Sequence, residues 1–153
     1  PNKGLSEIGH GQVWRLITPI FIHFHTFHLI FNMIMTYQFG GAVESRRGQV
    51  RFLALVLAIA ILSNLGQYLW NGPIFGGMSG VVYGLFGYIW VKSRFEPQIG
   101  LSMPPSTVAW LIGWFFLCYT PLLGNVANTA HLVGLIVGAS VSYFPVLWRQ
   151  AMK

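Results

Sequence analysis

Charge is what this chain has least of. Only 8% of its 153 residues are charged, against about 25% in an ordinary soluble domain. That shortage excludes a water-facing surface of the usual kind. Aspartate is absent altogether, and the acidic residues are Glu7, Glu44 and Glu96. Cys118 is the single cysteine, which excludes an intramolecular disulfide and leaves the redox compartment unread. The net charge of +6 comes from dispersed lysines and arginines and forms no stripe, so nucleic acid is not expected as a partner. What is abundant is apolar: 54% of the residues are hydrophobic, with a mean hydropathy of +0.60. The composition describes an integral membrane protein.

A helix needs about 20 mostly apolar residues to cross a bilayer. Five spans are expected, over residues 16–38, 50–70, 80–92, 107–123 and 127–148. The third is short unless it begins at Ser79 or slightly earlier. Connections are brief, so a single all-α bundle over 1–153 is expected, without a separate soluble domain. The sequence opens at Pro1 without a secretory signal pattern, and a fragment is the expectation. Arg46, Arg47, Arg51, Lys92, Arg94, Arg149 and Lys153 fall on one side of the bundle. The positive-inside rule makes that side cytoplasmic. The uncharged loops 71–78 and 122–128 then face outward, which sets Ser79, His28 and His131 near the outer end.

Three polar groups enter the apolar segments: His23, His25, His28 and Asn32; Ser79 and Tyr83; Asn128 and His131. Such residues are costly in hydrocarbon and face the bundle interior. Residues four apart share a helix face, which pairs His28 with Asn32 and Ser79 with Tyr83. Gly80 with Gly84, and Gly134 with Gly138, form two GxxxG motifs that allow helix backbones to approach closely. Crossing there would bring Ser79 within reach of His131, the nucleophile and base of covalent catalysis. Gly76 and Gly77 are expected to present amides before a helix N-terminus, where an oxyanion would be stabilised.

No acid is placed to orient His131, so a serine mechanism would run on a Ser–His dyad. The soluble GxSxG elbow is excluded because Val81 stands where its second glycine would be. Each feature singly has a plainer and commoner use: Ser79 as a helix N-cap, the GxxxG motifs as packing devices, His131 as a structural histidine. A metal cluster of His23, His25 and His28 lacks any carboxylate or cysteine. A histidine-lined channel or transporter is a rival reading, but its polar groups would gather at the midplane. Taken together at one depth, the residues point to catalysis.

At these residues the chain resembles the rhomboid intramembrane serine proteases of bacterial type. The matching stretches are HFHTFHLIFN over 23–32, GGAVE over 40–44, GGMSGVVY over 76–83 and NTAHLVG over 128–134. The similarity runs from about Trp14 to Trp148. It implies Ser79 as nucleophile and His131 as general base, with His28, Asn32 and the Ser79 backbone N–H lining an oxyanion hole. Tyr83 would pack on the His131 ring, Gly77 and Met78 would shape the adjacent loop, and Gly134 and Gly138 would carry the helix contact. Arg15 would fall in the family's membrane-embedded first loop, Glu44 would be structural, and residues 107–123 would form a lateral gate, although the aromatics of that segment are equally suited to lipid-facing or interfacial packing.

The resemblance also implies transmembrane protein substrates, a surrounding of membrane lipids, a bacterial inner-membrane location, and no metal or cofactor. The family core has six helices. The first, with most of the loop after it, is expected to be missing here, which fits either a fragment or a cleaved chain whose first helix resides on a separate chain. A catalytically inactive relative is the remaining rival, against which the presence of both Ser79 and His131 counts.

Overall fold

A computed structural model describes residues 5–152; Pro1 and Lys153, which entered the reading above, lie outside the described residues. After a single helical turn, α1 (Ser6–Gly9), the chain makes two 3-10 turns, Val13–Leu16 and Thr18–Phe21. This corrects the first expected span, which does not begin at residue 16. Pro19 lacks an N–H and disfavours helix in the residue before it. The chain then runs extended through Ile22 and His25, and α2 (Thr26–Met35) starts only afterwards. His23 and His25 therefore precede the helix and share no helical face with His28. Beyond α2 a π-helical turn, Thr36–Gly40, leads into α3 (Gly41–Arg47), so this helical run ends well past residue 38.

Gly48, at φ 82°, turns the chain into α4 (Gln49–Asn71). Gly72, at φ 90°, ends that helix, and a loop leads to α5 (Ser79–Phe95). The fourth expected span is shorter than its apolar run: α6 covers Pro105–Leu117. Pro121 cannot donate to a continuing helix, and a 3-10 turn, Pro121–Leu123, takes its place. Last comes α7 (Asn128–Ala151). The described residues contain no strand. Two described helices, α4 and α7, are each long and apolar enough to cross a membrane; α6 is apolar but shorter. Five complete spans are therefore not what the helix lengths display.

Helix α5 is the axis of the bundle, with every residue from Gly80 to Ile89 buried. Its glycines explain how it can be surrounded. A Cβ on Gly134 would fall onto the Gly80 carbonyl, and one on Gly138 onto the Gly84 carbonyl. Backbone therefore meets backbone along α5 and α7. On the other flank, Ile59 and Ser63 of α4 occupy the space that Cβ atoms on Gly84 and Gly80 would need. In lipid no hydrophobic force drives helices together, so close van der Waals packing of this kind carries the association.

At the basic end, Lys92 and Arg149 both pair with Glu96, joining α5 to α7. Lys92 also donates to the Ser142 carbonyl (2.9 Å), and the Ser142 hydroxyl donates to the Tyr88 carbonyl (2.9 Å). At the opposite end α4 holds the start of α7. Gln67 Oε1 accepts from the Ala130 N–H at 3.0 Å, satisfying a donor that the first helical turn leaves open. Thr129 donates to Asn71 (2.6 Å), and the Asn128 amide donates to the Cys118 carbonyl (2.9 Å). His131 stands one turn into this anchored N-terminus.

Candidate active site

Ser79 is the first residue of α5, and Met78 occupies the N-cap position without a side-chain capping bond. The serine hydroxyl is therefore not spent on capping. It lies 2.7 Å from Nε2 of His131, across the glycine-lined contact between α5 and α7. Ser79 is half-buried and His131 only 3% exposed, so the pair lies below the surface of the bundle. The Tyr83 ring lies 4.7 Å from the imidazole, centroid to centroid, and the Tyr83 hydroxyl donates to the Leu111 carbonyl of α6 at 3.2 Å. Nδ1 of His131 is buried with no hydrogen-bond partner. Packing, rather than an acid, orients this ring.

The loop before Ser79 is tied to the 3-10 segment. The Gly77 N–H donates to the Pro19 carbonyl at 3.0 Å, and the Met78 N–H donates to Nε2 of His23 at 3.4 Å. His23 Nδ1 is 3.3 Å from the Phe21 carbonyl, which suits the tautomer protonated there. The expectation that Gly77 presents a free amide is thus corrected: that amide is engaged. The first amide of the α5 ladder to find an acceptor is Val82, on the Met78 carbonyl (3.0 Å). Ser79 to Val81 stand earlier, where helical donors lack ladder partners.

Gly77 has φ 125°, and a Cβ there would lie 2.7 Å from Cε1 and 3.0 Å from Nε2 of His28, and 3.6 Å from Ser79 Oγ. The His28 ring and the serine hydroxyl thus border the same small space, which only a glycine leaves open. His23 and His28 meet edge to face at 5.0 Å. Asn32, fully buried, donates from Nδ2 to the His28 carbonyl at 2.9 Å, and its Oδ1 has no partner. Its described bond is therefore within α2, not to the serine. Among the described residues no group of three or more metal-ligating side chains gathers.

Gln67 and Asn71, which fix the helix bearing His131, were not singled out from the sequence, and His23 was weighed there only as a metal ligand. A signal for the first two was present: Ser63, Gln67 and Asn71 are spaced four apart and share one face of a largely apolar helix.

A serine and histidine in hydrogen-bond contact recur on unrelated folds, so comparison with known proteins is informative here. A family model described as the Rhomboid domain matches residues 10–148. The "Rhomboid protease GlpG" of Yersinia pestis (strain Pestoides F) is 38% identical over 134 residues, covering 87% of this chain and 48% of that protein. The protein of the same name from Yersinia enterocolitica serotype O:8 is 37% identical over the same length. The chain thus spans about half the length of the curated relatives it matches. With a match across most of its residues, and with the serine and histidine carried on glycine-packed helices inside it, the chain belongs to the rhomboid family of integral membrane proteins.

Proposed function

We propose that the chain is the catalytic membrane domain of an intramembrane serine endopeptidase, cutting a peptide bond in or beside a transmembrane helix of a protein substrate. One observation carries the reading: the 2.7 Å contact between Ser79 Oγ and His131 Nε2. In this reading His131 takes the serine proton as Oγ attacks the substrate carbonyl, then returns it to the leaving amine. Water next attacks the acyl-enzyme, with His131 again as base. The tetrahedral oxyanion is held by the Ser79 backbone N–H, His28 and the remaining N–H of Asn32. Tyr83 keeps the imidazole aligned, while Gly77 and Met78 shape the loop beside the nucleophile.

The histidine bears its proton on Nδ1 while Nε2 faces the serine. With no aspartate in the chain and no partner at Nδ1, a dyad is the mechanism these residues can run. No metal or cofactor is required by it. A helical substrate must unwind locally, because its carbonyls are otherwise occupied by hydrogen bonds. Residues 107–123 serve in this proposal as the lateral gate. Phe31 of α2 packs on Trp110 and Trp114 of α6, at 5.8 and 5.9 Å between ring centroids, which is the seam a substrate would part.

The proposed setting is the bacterial inner membrane, with the dyad near the outer face and the arginine-rich ends in the cytoplasm. Residues 1–153 form one domain of five membrane-crossing segments, the α2–π–α3 run counting as the first. Incubating the purified chain in detergent with a transmembrane substrate should give discrete cleavage, and Ser79→Ala should abolish it while leaving the helical fold intact. A fluorophosphonate probe should label Ser79. Full cleavage by Ser79→Ala would sink the assignment.

A further inference from the structure

A hollow of about 310 Å³ opens at the end of the bundle remote from the dyad, among α3, α4, α5 and α7. Arg47 and Arg51 stand at its rim and Lys92 lies buried in its wall, while Leu55, Ala58 and Val141 line its apolar part. Lys92 is neutralised by Glu96, but Arg47 and Arg51 form no ion pair among the described residues. Nε of Arg47 is buried and has no hydrogen-bond partner. A buried cationic donor left unpaired is costly, so this nitrogen marks a place where an acceptor is wanted.

The chemistry of the two parts names that acceptor. Two guanidinium groups four residues apart, on either side of Gly48, are suited to the oxygens of a phosphate. Below them the wall from Arg51 to Ala58 continues for two helical turns, about 10 Å, without a polar side chain. A free hydrophilic anion would find no use for that wall, whereas an acyl chain would. We propose that this hollow binds an anionic phospholipid of the leaflet facing the basic ends. Its phosphate sits on Arg47 and Arg51, and one acyl chain lies along Leu55, Ala58 and Val141. A zwitterionic lipid carries the same phosphate but adds an ammonium that the arginine rim repels. Basic pockets between membrane helices recognise anionic headgroups in this manner.

The test is native mass spectrometry of the purified chain in mild detergent, with phosphatidylglycerol or phosphatidylcholine of identical acyl chains. The wild type should retain phosphatidylglycerol in preference to phosphatidylcholine. Arg47→Gln combined with Arg51→Gln should weaken that retention about 30-fold, and Arg94→Gln, outside the hollow, should not change it. Ala54→Phe, on the exposed wall of the hollow, keeps both arginines but obstructs the acyl path and should also weaken retention. Circular dichroism verifies the fold of each variant; if the arginine pair unfolds, Ala54→Phe decides. Equal retention of both lipids overturns the proposal, as does wild-type retention by the folded variants. Glycerol phosphate stabilising the chain as well as the lipid does would overturn it too.

Discussion

His131 shows how an imidazole can be aligned without an acid. Its Nε2 meets Ser79, its Nδ1 meets nothing, and the Tyr83 ring covers one side. Ring and hydroxyl of Tyr83 can be separated by mutation. Tyr83→Phe loses only the bond to the Leu111 carbonyl, costing about 1 kcal/mol of stability, and turnover should stay within about threefold. Tyr83→Ala frees the imidazole, and a misplaced base costs on the order of 100-fold in kcat with little change in KM. Steady-state kinetics on one transmembrane substrate checks both; equal rates would refute alignment by packing. Gly77→Ala should also cut kcat by about 100-fold, because its φ of 125° is strained for alanine and its Cβ would press on the His28 ring.

Between helices, the decisive contact is the backbone crossing of α5 and α7. Gly138→Ala would drive a methyl into the Gly84 carbonyl, and neither backbone can move aside cheaply. Overpacking of this kind costs about 1–3 kcal/mol, and the separation it forces also lengthens the Ser79–His131 contact. Gly113→Ala in α6 is the counter-case. Nothing lies within 4 Å of its Cβ, so the substitution should stabilise by about 1 kcal/mol through helix propensity. Unfolding titrations in mixed detergent should move the two midpoints in opposite directions. A lowered midpoint for Gly113→Ala would contradict the open space at that position.

The molecule as a whole is pinned at two ends by different means. At the dyad end, Gln67 and Asn71 dock the start of α7; at the basic end, Glu96 bridges Lys92 and Arg149. Burial pushes the Glu96 carboxyl up, but the hydrogen bonds from Lys92 and Arg149 outweigh it and hold the group below the usual carboxylate range. A carboxyl lowered in this way stabilises the fold above the ordinary value of about 4.3. That contribution fades as pH falls through the lowered folded value. Glu96→Gln should remove this acid limb from the stability profile. At neutral pH it leaves Lys92 buried without its counter-charge, at about 3 kcal/mol. Stability measured from pH 7 down to pH 3 tests the sign: an unchanged acid limb in Glu96→Gln would assign it to another group.

Much of the chemistry was legible from one dimension. The scarcity of charge, the absence of aspartate, the two GxxxG motifs and the placement of Ser79 and His131 are properties of residue type and spacing. They define a membrane bundle and single out the serine and histidine that the fold brings into hydrogen-bond contact. Helix limits were less legible, because hydropathy counts apolar side chains and ignores whether a backbone N–H has a partner. Pro19 and Pro121 therefore interrupt runs that composition alone makes continuous. Only the tertiary structure decided that the Gly77 amide serves the Pro19 carbonyl, that Gln67 caps α7, and that Arg47 is left with a buried, unpaired nitrogen. Each is a matter of a polar group finding or missing a partner far along the chain, and pairing across a bundle exists only once the helices have packed.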